Sequence, residues 1–282
     1  MAKKAKVDFM LIVLNGEPFI EAWLKTYEPH ANKVFIIEGT DHERFSGMPK
    51  DLRRKCHTKD GHSVDNTREI IRAYNSKKVV LIDQGPHGNG FWPSKHHMVK
   101  QVNSRVEAGW LWEADYDEFL FQADIDKILT ILKQNKKQKV WQFKVMNFWK
   151  SASHVLEGAW VTPFRRIFRW QSGQTKFTTH RPPTTNAGGL PNTLPYALFH
   201  YNYLLRKDAE YKPAYHGEVY NKRWFEKNWE IWTPKNKDTV ERKGIGPPRW
   251  RNTHTVHRPN LRHPEFVQPV IERLTKEKII LS

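Results

Sequence analysis

Residues 109–121 read GWLWEADYDEFLF, and this stretch carries the strongest structural signal in the chain. Its apolar start is typical of a buried strand, and Asp115, Asp117 and Glu118 follow within one tetrapeptide. Two carboxylates two residues apart at a strand end can converge on one hard cation, because such cations prefer oxygen ligands. The turn preference of aspartate explains a single acid, but not three in one tetrapeptide. We therefore predict a metal site at this point.

Upstream of this stretch, strand-like and helix-like segments alternate. Continuous apolar runs predict strands at residues 7–14, 33–37, 78–82 and 110–114. Helical spacing of apolar residues predicts helices at residues 17–27, 64–75, 94–108 and 124–134. This alternation predicts an α/β fold with an open, mainly parallel sheet that is covered by helices on both faces.

Polar residues follow each of the predicted strands. They are Asn15 and Glu17, Glu38 and Asp41, Asp83, and the acids of residues 115–118. Because ligands of open parallel sheets bind beyond the carboxyl ends of the strands, we expect these residues to border one site. The turn preference of Asn and Asp accounts for some of them.

Beyond residue 140 the regular alternation is lost. Residues 139–149 and 165–170 alternate like strands, 181–195 read as a mobile loop, 197–205 as a strand or short helix, and 266–277 as a helix. We therefore divide the chain into residues 1–140 and a basic, aromatic-rich portion, residues 141–282.

Charge is distributed unequally between these two portions. The formal net charge is +17. Residues 1–140 carry 23 Lys and Arg against 19 Asp and Glu, whereas residues 141–282 carry 24 against 11, a net charge of +13. A one-sided basic excess indicates a polyanionic partner such as nucleic acid, an anionic membrane or an acidic glycan. A solvated basic surface without a partner is the plainer alternative.

Cysteine content and hydropathy bear on the cellular compartment. Cys56 is the single cysteine, so an intrachain disulfide is impossible and a reducing compartment is the simplest setting. The apolar run at residues 9–14 is too short for a signal peptide or a membrane span. We expect a soluble cytoplasmic protein, or one of the host cytoplasm if its source is viral.

Several motifs resemble one enzyme family. GWLWEADYDEFLF resembles the D-x-D-E-F segment of family-2-like GT-A glycosyltransferases, and IVLNGEPFIEAWL is similar to the opening of the same group. KVFIIEGTDHE matches the second-strand segment, with Glu38 where the family usually has aspartate. The resemblance covers about residues 7–122. It implies a GT-A-type fold, a nucleotide-sugar donor (a UDP-sugar first), and Mn²⁺ or Mg²⁺.

The resemblance also implies roles for individual residues in the donor-binding half, residues 1–140. Asn15 and Glu17 would line the nucleotide pocket, Glu38 and Asp83 would contact the base or ribose, and Lys95 and Asn103 would reach the diphosphate. Asp117 would bind the metal directly, and Asp115 would contact the ribose or the metal.

A late histidine often completes the metal site in such enzymes. We assign this role to His200, which apolar residues flank, with His180 as the competitor. The alternative is a buried, hydrogen-bonded core histidine.

Inverting transfer requires a base that deprotonates the acceptor hydroxyl. Among the few acids of residues 141–282 the candidates are Glu157, Asp208, Glu210 and Glu218, of which we favour Glu157 or Asp208. A retaining enzyme would need no such base.

The acceptor portion interleaves tryptophans with basic residues between positions 221 and 251. Basic residues contact phosphates and aromatic rings stack on bases or sugars, so we assign Lys222, Arg223, Arg249 and Arg251 to nucleic-acid binding. We rank a hydroxymethylated base in DNA first as the acceptor, which would make the chain a viral DNA-modifying member of the family. Such a base would have to be flipped out of the duplex to reach the site. The alternatives are transfer to a surface glycan, lipid-linked saccharide or protein, and a non-catalytic nucleic-acid-binding protein on a GT-A scaffold.

Overall fold

The computed structural model of the 282-residue chain describes residues 4–46, 48, 50–158, 162–180, 190–215, 225–241 and 253–281. Within these residues the strands are β1 (Asp8–Val13), β2 (Val34–Glu38), β3 (Thr40–Asp41), β4 (Val79–Ile82), β5 (Phe91–Trp92), β6 (Trp110–Glu113), β7 (Glu118–Phe119), β8 (Val140–Trp149), β9 (His154–Glu157), β10 (Phe164–Arg169), β11 (Asn192–Tyr203) and β12 (His254–His257). The α-helices are α1 (Ile20–Tyr27), α2 (His42–Phe45), α3 (Lys50–Cys56), α4 (Thr67–Ala73), α5 (Lys95–Lys100), α6 (Gln122–Gln134), α7 (Arg206–Tyr215), α8 (Lys237–Glu241) and α9 (Gln268–Lys276).

The four strands predicted before residue 135 form the parallel core of the sheet. They lie in the order β6-β1-β2-β4, and each neighbouring pair runs parallel. Phe9 of β1 is in register with Val34 on one side and Trp112 on the other. The predicted α/β class is confirmed, and the carboxyl ends of all four strands meet at one edge.

Helices cover both faces of this core, because alternate side chains of each strand point to opposite faces. Phe9 and Leu11 belong to the apolar cluster that includes residues of α1, α6 and α9. Met10 and Ile37 belong to a second cluster with Met98 of α5. The two clusters fix the direction in which each strand end presents its polar residues.

Strands of the second half extend the same sheet. β10 pairs antiparallel with β6, and the order continues through β8 and β9 to β12. β11 leaves this path: it runs parallel to β8 and antiparallel to β7. The stretch predicted at 197–205 as a strand or short helix is therefore a strand, and it begins earlier, at Asn192.

One predicted helix is much shorter than its pattern indicated. The helix expected at residues 94–108 ends at Lys100, and tighter three-residue turns follow, with Val102 N donating to Val99 O over 3.2 Å. The side chain of Asn103 bonds to the backbone of Phe177, which gives these turns a tertiary partner that the pattern could not reveal. No helix in the described parts of the chain is long and apolar enough to cross a bilayer.

Candidate functional site

The acidic stretch after β6 is held in place by strand pairing. β7 pairs with β11 in a register that puts His200 opposite Glu118, and the backbone N–H of Tyr201 donates to Asp117 O over 2.9 Å. The His200 ring consequently lies beside Asp117, with Nε2 3.5 Å from Oδ1. Both residues are buried. Of the two histidines proposed from sequence, His200 is thus in contact with the acidic stretch.

A neighbouring strand orients the His200 ring. β8 lies beside β11 with Asn147 opposite His200, and the amide oxygen Oδ1 of Asn147 is 2.8 Å from Nδ1 of the imidazole. An amide oxygen accepts a hydrogen bond, so this contact needs a hydrogen on Nδ1, and Nε2 is the ring nitrogen that lies toward Asp117. This is the arrangement in which a histidine binds a metal ion through one nitrogen while a partner fixes the other.

Asp115 has a different partner. Arg166 of β10 is 2.7 Å from Asp115 Oδ2, and its Nε donates to Glu118 Oε2 over 2.9 Å. Arg166 and Glu118 are both buried. Burial raises the pKa of Glu118, and the positive charge of Arg166 opposes that shift. Arg166 thus ties the first acid of the stretch to the third and leaves Asp117 on the side of His200.

The donor atoms fit a divalent cation in part. A carboxylate and an imidazole nitrogen suit Mn²⁺, which accepts oxygen and nitrogen ligands. Among the described residues, no group of three or more His, Cys, Asp or Glu side chains forms a complete metal site. Within the described residues, Asp117 and His200 would be the ligands, and oxygens of a bound ligand and of water would suit the remaining positions.

Asp208 lies at the same site. The phenol of Tyr116, which stands between the two aspartates of the motif, donates to Asp208 Oδ1 over 2.9 Å. Burial, followed by the charges of Asp208 and Asp117, holds the pKa of Tyr116 well above its usual range. Tyr116 therefore stays protonated and orients the carboxylate of Asp208.

Glu157 lies on the other face of the sheet. Leu156 is opposite Asn147 in the ladder between β9 and β8, so the next residue, Glu157, points away from the His200 side. Its carboxylate is paired with Arg258. Together they border a cavity of ≈ 520 Å³ that Lys144 and Met146 also line. The structure thus places Glu157 on the face away from His200, whereas Asp208 bonds to Tyr116 within the acidic stretch. Of the other two candidate acids, Glu210 lies near Cys56, where burial and then the charge of Glu210 raise the pKa of the thiol, and Glu218 lies outside the described residues.

The loop after β1 is bound on two sides. Asn15 has a positive φ of 57°, and its side chain donates to Cys56 O and accepts from Val64 N. Glu17 accepts from the backbone N–H of Asn66 over 3.0 Å. Both side chains are half-buried, so this loop presents a rigid border to the sheet edge.

Glu38 is enclosed at the end of β2. Its carboxylate accepts from Ser63 N over 2.6 Å and from Ser63 Oγ over 2.7 Å, and the second oxygen lies 2.7 Å from His62 Nδ1. Its exposed fraction is 0%. Gly39 has a φ of +128°, and a Cβ there would lie 2.2 Å from Gly90 O, so only glycine allows this loop to pack over Glu38. Both carboxylate oxygens thus have partners, and Glu38 connects the end of β2 to the loop of His62 and Ser63.

The remaining predicted residues lie around this edge in differing environments. Asp83 pairs with Arg68 at 2.9 Å and with Arg72; burial raises its pKa, but these two arginines outweigh burial and lower it overall. Lys95 is the first residue of α5 and is half-buried. Asn103 accepts from Phe177 N over 2.8 Å and is occupied there.

The residues proposed to bind nucleic acid, Lys222, Arg223, Arg249 and Arg251, lie outside the described residues.

Three site residues were not predicted from the sequence. Arg166, Asn147 and Lys207 each reach the site through pairing or packing across long sequence separations. Of these three, only Arg166 had a sequence signal for its role. The strand FRRIFR carries adjacent arginines, and because side chains alternate along a strand, one of the two must point inward.

No protein-family model matches the chain, and no curated protein matches it. Parts of several solved structures superpose on it. Glucosyl-3-phosphoglycerate synthase from Mycobacterium tuberculosis, in complex with Mn²⁺, uridine diphosphate and glucosyl-3-phosphoglycerate, is 14% identical over 51% of this chain and 44% of that chain, with a TM-score of 0.33. S. aureus TarS 1-349 is 10% identical over 58% of this chain and 47% of that chain, with a TM-score of 0.35.

A further crystal structure, of a mycobacterial protein, is 12% identical over 51% of this chain and 42% of that chain, with a TM-score of 0.36. The chain spans less than half the length of these three structures. Similarity this partial decides neither the fold nor the function of the present chain, which depend on its own topology and site.

Proposed function

We propose that the chain is a divalent-metal-dependent glycosyltransferase of GT-A type that takes its sugar from a nucleotide-sugar donor, a UDP-sugar first. One observation carries the proposal: Asp117 and His200 lie 3.5 Å apart at the carboxyl edge of parallel strands, with the histidine oriented by Asn147. The motif resemblance over about residues 7–122 supports the same activity.

The chemistry divides among the chain's own residues. Asp117 and His200 would hold Mn²⁺ or Mg²⁺, which when bound neutralises the charge that develops on the departing nucleoside diphosphate. Arg166 holds Asp115, which would contact the ribose or the cation. The loop of Asn15 and Glu17 would border the nucleotide.

For an inverting transfer we assign the base to Asp208. Its carboxylate accepts a hydrogen bond from Tyr116, which stands between Asp115 and Asp117, whereas Glu157 lies on the opposite face of the sheet. Asp208 would accept the proton of the acceptor hydroxyl as the hydroxyl oxygen attacks the anomeric carbon.

The direct test is donor hydrolysis with a panel of nucleotide sugars in Mn²⁺. We expect release of nucleoside diphosphate by the wild-type chain, loss of that release in excess chelator, and its restoration by added Mn²⁺. Turnover that continues undiminished in chelator would contradict the metal-dependent mechanism. Absence of hydrolysis and of nucleotide binding with every donor would favour the non-catalytic alternative.

For the acceptor we propose duplex DNA carrying a hydroxymethylated base, supported by the net charge of +13 in residues 141–282. Each neutralised phosphate releases counterions, so six phosphate contacts would give a log–log salt slope of roughly −5. Alanine at four basic positions should flatten this slope: Lys222, Arg223, Arg249 and Arg251. The matched control removes four exposed lysines from the first half: Lys133, Lys136, Lys137 and Lys139.

Mass spectrometry of the acceptor decides the outcome. A hexose or pentose mass added to hydroxymethylated DNA supports the proposal. Transfer to a saccharide, lipid-linked saccharide or protein, with no mass gained by DNA, would replace DNA as the acceptor while leaving the enzyme class in place.

A further inference from the structure

Lys207, in the first turn of α7, reaches the loop after β1 from the other half of the chain. Its Nζ donates to the carbonyl oxygen of Asn15 over 2.7 Å and to that of Glu17, and lies 3.7 Å from Asp65 Oδ2. The side chain is 30% exposed, so most of the lysine is enclosed by these partners. A charged donor on two carbonyl oxygens is among the stronger hydrogen-bond arrangements.

The other side of the loop is held by residues 63–67. The backbone N–H groups of Asn15, Gly16 and Glu17 donate to Ser63 Oγ, Thr67 Oγ1 and Asp65 Oδ2, respectively. The N–H groups of the loop are thus bound by first-half side chains, and the carbonyl groups of Asn15 and Glu17 are bound by Lys207. Without the lysine, two carbonyls of the loop lose their cationic donor.

The next residue in the chain binds the metal motif. Asp208 accepts from Tyr116 OH, and Tyr116 lies between Asp115 and Asp117. Lys207 and Asp208, which are consecutive in one helical turn, therefore bond to the loop of residues 15–17 and to Tyr116, respectively. These two partners are about a hundred residues apart in sequence. A rigid helical turn sets the spacing between these partners.

We propose that Lys207 is a positioning residue that, together with Asp208, fixes the nucleotide-side loop relative to the Asp115–Glu118 stretch. Donor affinity then depends on a side chain from the acceptor half, and displacement of α7 would loosen the donor site. This inference rests on the proposed function, since it takes the loop of residues 15–17 as the border of a nucleotide pocket.

The test compares Lys207→Met with Lys207→Arg, which keeps the cation, and with Lys25→Met, which removes an exposed lysine paired with Glu21 elsewhere on the surface. Two quantities are measured on the full chain. The first is amide hydrogen exchange at residues 15–17 without nucleotide. The second is the affinity for UDP in Mn²⁺ by calorimetry.

For Lys207→Met we expect faster exchange at residues 15–17 and about 10-fold weaker UDP binding, consistent with the loss of one charge-assisted contact. Lys207→Arg should restore most of both quantities, and Lys25→Met should change neither.

An exchange rate at residues 15–17 of Lys207→Met equal to that of the wild type would overturn the inference. Weaker binding with unchanged exchange would also overturn it, because Lys207 would then contact the nucleotide itself. Failure of wild-type protein to bind UDP or any other nucleoside diphosphate would instead count against the proposed function, while exchange still decides whether Lys207 holds the loop.

Discussion

The ends of β2 and β6 carry the same sequence signal and have opposite environments. Each strand is apolar and each is followed by acids at the same edge of the sheet. At β2, Glu38 has both carboxylate oxygens bound by Ser63 and His62 within a fully buried network. At β6, Asp117 is buried beside the oriented imidazole of His200, with 3.5 Å between the facing atoms.

The comparison shows that the edge on which an acid lies and the groups that surround it are set by different contacts. The position of an acid after a parallel strand determines the edge at which it lies, since parallel neighbours end together. Whether the acid can take a ligand depends on which other groups bind its oxygens. Glu38 is enclosed by Ser63 and His62, with Arg68 Nε 3.6 Å from Oε2, whereas Asp117 lies beside Nε2 of His200.

Asp117→Asn is expected to have the largest effect of the substitutions considered. Loss of the carboxylate should lower donor hydrolysis by about 1,000-fold, because the bound metal supplies several kcal/mol of charge stabilisation. Thermal unfolding should change by only a few degrees, because the variant removes a buried charge and keeps the backbone bond from Tyr201 to Asp117 O. Activity is measured as release of nucleoside diphosphate in Mn²⁺. Near wild-type turnover would show that Asp117 is no metal ligand.

His200 tests the other half of the metal pair, with His263 as a matched control. His263 is also buried, and Tyr201 OH lies 2.8 Å from its Nδ1, away from Asp117. We expect His200→Ala to weaken Mn²⁺ affinity by about 100-fold, and His263→Gln to leave it within a few-fold. Titration of Mn²⁺ against each protein provides the measurement. If His200→Ala instead lost only thermal stability, His200 would be a core histidine.

Glu38→Gln tests the enclosed acid. The substitution replaces an oxygen that accepts a buried hydrogen bond by an amide donor, so it should lower the free energy of unfolding by about 2 kcal/mol. Denaturant unfolding measures this loss, and donor hydrolysis per folded molecule should stay within a few-fold of wild type. The opposite result, stability retained and activity lost, would put Glu38 in contact with the nucleotide and remove the contrast with Asp117.

The smallest effect expected is a pH dependence of stability. Burial lowers the pKa of His263 to about 4, and burial with the charges of His257 and Lys237 lowers that of His154 to about 4. Above the unfolded-state pKa of ~6.5 neither residue affects the equilibrium. Between pH ~6.5 and 4 the unfolded chain binds protons that the folded chain does not. The free energy of unfolding therefore decreases as the pH is lowered through this range, by at most about 1.4 kcal/mol per pH unit for each histidine.

His263→Gln should remove part of this slope, as chemical unfolding at a series of pH values would show. An unchanged slope in the variant would mean that His263 is protonated alike in both states.

By itself, the sequence determined the four parallel strands, most of the helices between them, and the edge where the polar residues collect. These are local consequences of apolar periodicity and of parallel pairing, and residues 7–134 contain enough of both. The sequence did not determine the length of α5. The helix was expected to continue to residue 108 but ends at Lys100, because Asn103 bonds to the backbone of Phe177 in a distant loop.

Only the tertiary structure decided the composition of the site. β11 carries His200 to Asp117, β8 supplies Asn147, β10 supplies Arg166, and α7 supplies Lys207 and Asp208. It also showed that Glu38 is enclosed and that Glu157 faces the other side of the sheet. Strand register and sheet order determine such contacts, and they join residues up to 192 positions apart. The local sequence pattern does not predict these contacts. It indicates on which face of its own strand or helix a residue lies, but not which other element packs against that face.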